Sequence, residues 1–285
     1  MRNMTKNLLL ALVLAVTLGV SWLVYDKYTL RWPQVDSSPS VAASPSQPPK
    51  PSKEIEVFLP TPETTVIGTK LVLHGKGRAF ENAINYRISD SAGKQLHIGA
   101  FMTNAPDAGI FGFFHEEVDL AKLLKNIPSV IQLDILEISA KDGSDLHKTS
   151  FLLNVDQGRT SVFAYFTNSN LDPDNSCQKV FALPRLVPKT QLVLKVAIEG
   201  LLQGLGPAES KLNFYSSINK GSALKSAKIE GGIAYLDFNE TLDSAGGSCN
   251  AMAIRSQIEA TAQQFSNVKS VVISVNGKTE NILQP

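Results

Sequence analysis

The chain has 285 residues, 43% of them hydrophobic, so it can bury a core and is long enough for one or two domains. Its 27 basic and 26 acidic residues leave a formal net charge of +1, which excludes a strong overall field that would attract nucleic acid. Two cysteines, Cys177 and Cys249, are too few for a disulfide-dense small fold or a four-cysteine zinc site.

An uncharged apolar run, residues 8–24, follows Arg2 and Lys6 near the N-terminus. A helix of this length is about 25 Å long at about 1.5 Å per residue, so the run predicts a transmembrane helix. Because no A-x-A-like site follows it directly, an uncleaved signal anchor is favoured, with a cleaved signal peptide as the alternative. The positive-inside rule then places residues 1–7 in the cytoplasm, which predicts a single-pass protein of the cell membrane with extracytoplasmic domains.

A linker rich in proline and serine occupies residues 25–53. Between residues 33 and 53 it has almost no apolar side chain to bury, so it cannot offset its ordering entropy and is predicted to be an extended tether. At about 3.1 Å per residue, such a tether holds the first domain up to about 60 Å from the membrane.

Short β-type runs separated by turn signals fill residues 54–157. Ile131, Leu133 and Ile135 alternate with polar residues, which indicates a strand with one buried and one solvated face. Seven strands at this spacing predict an all-β immunoglobulin-like sandwich. The predicted strands are residues 55–59, 70–75, 84–89, 95–102, 109–118, 131–139 and 148–155.

Residues 161–285 mix helical and strand patterns, which predicts an α+β domain. Apolar residues recur every three or four positions in two segments, as in amphipathic helices. The second of these helices carries Ile254, Ile258, Thr261 and Phe265 on one face. The fold class is therefore predicted to be mixed: an N-terminal transmembrane helix, an all-β immunoglobulin-like sandwich and then an α+β domain. The predicted helices are residues 190–203 and 250–265, and the predicted strands are residues 161–167, 223–229, 233–238 and 268–275.

One motif of the first domain resembles a known family. The segment Gly75-Lys76-Gly77-Arg78-Ala79-Phe80-Glu81-Asn82, with the lead Leu59-Pro60 before it and the turn Asp90-Ser91-Ala92-Gly93 after it, resembles the immunoglobulin-like domain of bacterial spore germination. Two departures from that family's pattern are Ile67-Gly68-Thr69 in place of Ser-Pro, and Asn82 in place of glycine.

Residues 162–285 resemble a second family over nearly their whole length. The resemblance rests on Cys177, the segment Arg185-Leu186-Val187-Pro188-Lys189-Thr190, the helix end Glu199-Gly200-Leu201-Leu202-Gln203-Gly204 and Ile254-Arg255-Ser256-Gln257-Ile258. These marks are similar to the GerMN domain, also called the sporulation and spore germination domain. Asn219 stands where that family usually has proline.

The two resemblances imply an accessory role in sporulation, germination or the cell envelope, and they bring no catalytic residues with them. The GerMN domain is similar to the ring-building motifs of secretion-type assemblies, which implies self-association or docking by analogy of fold alone.

Three interpretations of the two cysteines are open. In an oxidising compartment, Cys177 and Cys249 are expected to form one disulfide that pins a loop to a helix start. The alternatives are two free or buried thiols, and a nucleophilic cysteine whose pKa the helix N-terminus lowers.

Arg78, Phe80 and Glu81 form a candidate interaction patch, because an aromatic residue beside an arginine is typical of binding hot spots. The favoured interpretation of the same residues is structural, with Phe80 in the sandwich core and Arg78 paired with Glu81.

No cofactor, metal site or catalytic residue is predicted. The four histidines lack metal-ligand spacing and are expected at alternate surface positions on strands. The segment with Gly75 and Gly77 does not match the dinucleotide-binding motif, and the segment with Gly277 and Lys278 does not match the phosphate-binding loop. All of these residues are therefore expected in turns. Asp172 and Asp174 begin like a calcium loop, which lacks its sixth-position glycine and final glutamate. The four histidines are His74, His97, His115 and His147.

The sequence thus favours a protein that is not an enzyme and whose two domains bind envelope proteins or peptidoglycan, or self-associate. The N-terminal helix is predicted to contact the membrane, and no binding of nucleic acid is predicted. One alternative is a peptidoglycan-active hydrolase that uses carboxylates such as Asp237 and Glu240. A further alternative is a wall-binding sensor with a ligand in the cleft between the domains.

Overall fold

Most of the regular elements in the described part of the chain are strands, which β-branched and aromatic residues at alternate positions favour. The computed structural model describes residues 54–244 and 246–284, and all of these belong to one compact unit. We call residues 54–155 the first domain and residues 160–284 the second domain.

The first domain is a sandwich of two sheets with the strand orders β1-β3-β6 and β2-β8-β7-β4-β5. Inward-facing side chains such as Leu73, Ile88 and Leu133 fill the space between the sheets and are fully buried. Its elements are β1 (Ile55–Leu59), β2 (Val66–Ile67), β3 (Lys70–Gly77), a 3-10 turn (Phe80–Asn82), β4 (Ala83–Asp90), β5 (Gln95–Met102), β6 (Gly112–Asp119), α1 (Leu120–Leu123), β7 (Val130–Ile138) and β8 (Asp145–Val155).

Gly75 and Gly77 lie inside strand β3, not in a turn as expected from the sequence. A Cβ at Gly75 would overlap the carbonyl oxygen of Glu56 on the paired strand β1 and the ring of Phe114 on β6. Glycine is therefore needed here for the close approach of neighbouring groups rather than for a special backbone angle.

The second domain places two main helices against two three-stranded sheets, β10-β9-β11 and β12-β13-β14. Strands β12 and β13, both predicted from the sequence, form a hairpin, and β13 pairs in parallel with β14 after a helical crossover. The elements are β9 (Thr160–Asn168), β10 (Phe181–Val187), α2 (Val193–Leu202), α3 (Pro207–Lys211), β11 (Phe214–Tyr215), β12 (Leu224–Glu230), β13 (Ile233–Phe238), a 3-10 turn (Glu240–Asp243), α4 (Ser248–Gln263) and β14 (Ser270–Val275).

Side chains at the end of α4 take the place of a strand partner for β9. Gln264 Oε1 accepts a hydrogen bond from the Phe163 N–H at 2.8 Å, and Gln264 Nε2 donates to the Phe163 carbonyl at 2.7 Å. One turn earlier, Thr261 Oγ1 accepts from the Tyr165 N–H at 3.1 Å. These bonds satisfy buried backbone groups that no neighbouring strand reaches. Thr261, predicted from its spacing to share an apolar helix face, therefore has a polar role.

The predicted fold class is wrong. The described residues are mostly β-strand with few helices, and no helix among them is long and apolar enough to cross a membrane. The longest, α4, has 16 residues and carries Arg255 and Glu259, so it is too short and too polar for a bilayer. The predicted helix of residues 8–24 and the linker of residues 25–53 lie outside the described residues.

Candidate functional site

The two domains meet sheet against sheet. The outer face of the sheet β1-β3-β6 packs on β9 and β10, where Val72 joins Phe163 and Ala182 in one buried cluster. The Lys70 backbone N–H donates a hydrogen bond to Ser161 Oγ at 3.2 Å across the same boundary. Apolar burial and polar contacts thus both cross the interface.

Gly68 allows a close approach of the two domains at this interface. A Cβ at this position would lie 2.7 Å from Ser161 Cβ and 2.8 Å from Leu186 Cδ1, both in the second domain. This is the segment where the sequence departs from the Ser-Pro of the resembling family, and glycine removes the side chain that would separate the domains.

His74 and His115 lie inside the interface, contrary to the prediction that all four histidines occupy surface positions. His74 is 0% exposed, and both ring nitrogens of His115 are buried. The reason is that strand β3 is buried on both faces: Leu71 and Leu73 face the sandwich core, while Val72 and His74 face the second domain.

Burial holds both interface histidines in the neutral form. It lowers the pKa of His74 to about 4, against the opposing effect of a hydrogen bond from Nδ1 to the Phe114 carbonyl. Burial, together with the charge that His74 would carry, lowers the pKa of His115 to about 3. The backbone of Ala182 acts in the opposite direction and raises the pKa of His115 only weakly, because it does not form a hydrogen bond with either ring nitrogen.

A polar cleft of about 230 Å³ opens at the edge of the interface. The Tyr165 hydroxyl donates a hydrogen bond to Glu117 Oε2 at 2.8 Å, which links the two domains across the cleft. Lys70 Nζ lies 3.5 Å from Asp119 Oδ2 and 4.7 Å from the centre of the Phe163 ring. The cleft therefore combines acidic, basic and aromatic groups.

Two carboxyl groups in the cleft have altered proton affinity. Burial raises the pKa of Glu117, while its bond from Tyr165 and the nearby charge of Lys70 act in the opposite direction. Burial also raises the pKa of Glu116, and the charge of Glu117 adds to that increase. Raised carboxyl pKa values in a cleft are common where ligands bind, although structural pairs cause them as well.

The Phe80 end of the first domain is exposed, not packed as the favoured sequence interpretation expected. Phe80 is 64% exposed, and Arg78 pairs with Glu54 rather than with Glu81. The Arg78 guanidinium also lies 5.1 Å from the centre of the Phe111 ring. The backbone is the cause: it turns sharply at Glu81 and Asn82, with φ of 55° and 59°, which swings Phe80 away from the core.

A second exposed aromatic and a methionine belong to the same end of the sandwich. Met102 is opposite Ala83 in the β4-β5 ladder, and Phe111 precedes β6 beside Arg78. Both side chains are more than one-third exposed. We define the apolar end as Phe80, Met102 and Phe111.

Cys177 and Cys249 form a disulfide, as the first of the three interpretations of the cysteines predicted. Their Cα atoms are 5.2 Å apart, and Cys249 lies in the first turn of α4. The bridge joins the loop before β10 to the start of this helix. Its sulfurs are therefore not available as a nucleophile.

Asp237 and Glu240, the carboxylates considered for a hydrolase, are held in the charged form. Asp237 Oδ1 accepts from Ser274 Oγ at 2.6 Å and from the Gly277 N–H at 2.7 Å, and these bonds lower its pKa. Asn276 Nδ2 donates to Glu240 Oε2 at 3.0 Å and lowers that pKa too. A general acid at neutral pH needs the opposite change.

Metal-ligand side chains do not gather in the described part of the chain: no three of its His, Cys, Asp or Glu side chains come together. Asp172 instead closes its own loop, because its Oδ2 accepts from the Ser176 N–H at 2.8 Å and from Ser176 Oγ at 2.9 Å.

Sequence reasoning missed the residues of the interface: His74, His115, Glu117, Tyr165 and Gln264. One signal was present, because β3 begins with the unbroken apolar run Leu71-Val72-Leu73, which indicates a strand covered on both faces. No local pattern identifies the partners on β9 and α4, since they come from distant parts of the sequence.

Two family matches divide the chain. Residues 54–144 match the family described as immunoglobulin-like domain of bacterial spore germination, and residues 164–281 match the family described as sporulation and spore germination. Both resemblances predicted from the sequence are confirmed. Among curated proteins, no sequence matches this chain significantly.

Two solved structures that match part of this chain are of one sporulation protein. The first GerMN domain of the sporulation protein GerM from Bacillus subtilis is 20% identical, with a TM-score of 0.34, over 44% of this chain and 92% of that one. The tandem GerMN domains of the same protein are 20% identical, with a TM-score of 0.33, over 42% of this chain and 40% of that one. The chain thus spans less than half of the tandem structure.

Proposed function

From a chain that carries an immunoglobulin-like domain of bacterial spore germination and a sporulation and spore germination domain, we propose a non-catalytic accessory protein that docks to the cell envelope. It acts outside the cytoplasm and presents the two domains as one body to peptidoglycan or to envelope proteins. The observation that carries this proposal is the interdomain interface, in which the outer face of the sheet β1-β3-β6 packs against β9 and β10.

The disulfide supports the extracytoplasmic location. Disulfides persist in oxidising compartments and are rare in the cytoplasm of most bacteria. Here the Cys177–Cys249 bridge joins elements that are 72 residues apart in sequence, so it closes a large part of the second domain. A role in stability rather than in redox catalysis fits this position.

The apolar end is the surface that we propose for docking. An exposed aromatic side chain beside an arginine is the residue combination that dominates binding energy in many interfaces. Phe80 N–H donates to Glu137 Oε1 at 2.9 Å, so the turn that displays its ring is anchored to strand β7. A rigid display lowers the entropy lost on binding.

The test is sedimentation of the full chain with isolated peptidoglycan, and with envelope proteins immobilised from the same cells. We expect Phe80→Ser to weaken binding about tenfold or more, since truncating a hot-spot residue costs about 2 kcal/mol. Leu192→Ser is the matched control, because Leu192 is 62% exposed in the second domain. Equal binding by the wild type and Phe80→Ser would exclude this surface, and no binding by the wild type to either material would contradict the docking function.

A second candidate function is binding of a small ligand in the polar cleft. The observation that favours it is the gathering of Glu117, Lys70 and Phe163 around a cavity of about 230 Å³. Such a site suits a small ligand with charged groups of both signs. Thermal-shift measurements with soluble wall precursors test it: a rise in melting temperature that Lys70→Met removes supports the cleft, and no rise with any precursor opposes it.

The hydrolase alternative is weaker, because hydrogen bonds lower the pKa values of Asp237 and Glu240. Incubation of the chain with purified wall material is expected to release no soluble fragments. Release that disappears in Asp237→Asn would establish hydrolysis instead.

A further inference from the structure

Two histidines face each other at the centre of the domain interface. His74 on β3 is opposite His115 on β6 in the strand register, and their ring centroids are 5.5 Å apart. From the second domain, the Phe214 ring lies 5.2 Å from His74 and 5.8 Å from His115. The Phe181 ring lies 5.6 Å from His115. The pair is thus enclosed by aromatic rings of the partner domain.

A second proton on either ring would have no acceptor. The Phe114 carbonyl can only accept, so His74 Nδ1 is the donor at 2.9 Å and Nε2 carries the lone pair. In the described part of the chain, His74 Nε2 and both nitrogens of His115 have no hydrogen-bond partner. An imidazolium formed here would therefore be a buried charge without a hydrogen bond.

The charged and titratable groups on the surrounding strands are already paired or lie at the edges of the interface. No carboxylate contributes to the proton affinity of either histidine. On β1, β3 and β6, Glu56 pairs with Lys76, Lys70 with Asp119, and Glu117 accepts from Tyr165 of β9. On β10 Arg185 pairs with Glu209, and on β11 Tyr215 is exposed.

We propose that the His74–His115 pair makes the docking of the two domains pH-sensitive, so that mild acid separates the first domain from the second. The two domains have separate sets of buried core residues, and the histidines of the first domain lie against Phe214 and Phe181 at the border of the second domain's core. Separation therefore brings both imidazoles into water without unfolding either domain. This inference does not depend on the proposed docking to the envelope.

The direction of the effect follows from proton linkage. The ordinary histidine pKa is 6.5, and the docked values are about 4 and about 3. At the two histidines the separated state therefore binds more protons below pH 6.5, so their contribution to docking is largest above that pH and is lost as the pH falls toward 4. The raised pKa values of Glu116 and Glu117 in the cleft act in the opposite direction, because the docked state holds protons on these carboxyl groups more tightly. At pH 5 each histidine shifts the docking equilibrium about 30-fold, or about 10³-fold for the pair.

The experiment is small-angle X-ray scattering of the full chain between pH 7.5 and pH 5, with circular dichroism to follow secondary structure. We expect the radius of gyration to rise reversibly below about pH 6 while the strand signal is retained. His74→Gln/His115→Gln, which cannot gain charge, is expected to keep the compact radius at pH 5. His97→Gln/His147→Gln removes two histidines from the same domain outside the interface and is expected to behave like the wild type.

Two results would overturn the inference: a wild type as compact at pH 5 as at pH 7.5, or an interface double variant that opens over the same pH range as the wild type. If that variant does not fold, histidine titration in the wild type decides the question. NMR signals of two histidines that stay neutral until the radius of gyration rises, and gain their protons together with that rise, support the inference. Titration of all four near pH 6.5 contradicts it.

Discussion

At the scale of single residues, backbone conformation explains one departure from the family pattern. Asn82 has φ of 59°, in the left-handed region that glycine enters freely and asparagine tolerates better than most residues. The resembling family usually has glycine at this position, so the substitution keeps the turn that exposes Phe80. For His74 and His115, residue type alone does not indicate whether a histidine on a strand faces water or a second domain.

A pair of variants at Asn82 tests the backbone argument. Asn82→Ala is expected to lower the free energy of unfolding by about 1 kcal/mol, because alanine tolerates this left-handed φ less well than asparagine does. Asn82→Gly is expected to leave it unchanged to within about 0.5 kcal/mol. The Asn82 side-chain oxygen has no hydrogen-bond partner in the described residues, so the comparison isolates the backbone. Urea denaturation measures both values, and equal losses in the two variants would refute the explanation.

At the scale of elements, the end of α4 completes the edge of strand β9. Gln264 forms two hydrogen bonds with the Phe163 backbone, whereas Gln263, its neighbour, is exposed. We predict that Gln264→Leu lowers the free energy of unfolding by about 2 to 4 kcal/mol, because both Phe163 groups lose their partner. Gln263→Leu, the matched control, is expected to stay within about 0.5 kcal/mol. Chemical denaturation tests this, and similar losses for both variants would show that the Gln264 bonds are dispensable.

At the scale of the whole molecule, long-range links determine how the chain is assembled. The disulfide joins the loop before β10 to the start of α4, and the interface joins the two domains through Val72, Phe163 and the histidine pair. The two cysteines of the sequence predicted the disulfide, whereas the interface could not be placed from local patterns because its segments are far apart in sequence.

Removal of the disulfide tests how much this link stabilises the second domain. Cys177→Ala/Cys249→Ala is expected to destabilise the second domain by up to about 4 kcal/mol, since the bridge restricts a loop of more than 70 residues in the unfolded chain. Thermal or urea unfolding with and without a reductant measures the effect. The reductant should lower wild-type stability to that of the variant and leave the variant unchanged; a reductant that destabilises the variant equally would contradict the role of the bridge.

The sequence by itself determined the local elements and the two family resemblances. β-type runs between turn signals predicted the seven main strands of the first domain, and the same kind of pattern predicted the strands that form the hairpin β12-β13. It missed strand β10, where Pro184 interrupts a run that otherwise resembles a strand and is tolerated because β10 lies at a sheet edge.

Only the tertiary structure decided which faces are covered. It placed Phe80 outside and His74 inside, paired Arg78 with Glu54, and assigned Gln264 to the edge of β9. The physical reason is that burial depends on what packs against a residue from distant parts of the chain, whereas a periodic pattern reports only that a strand or helix has two faces.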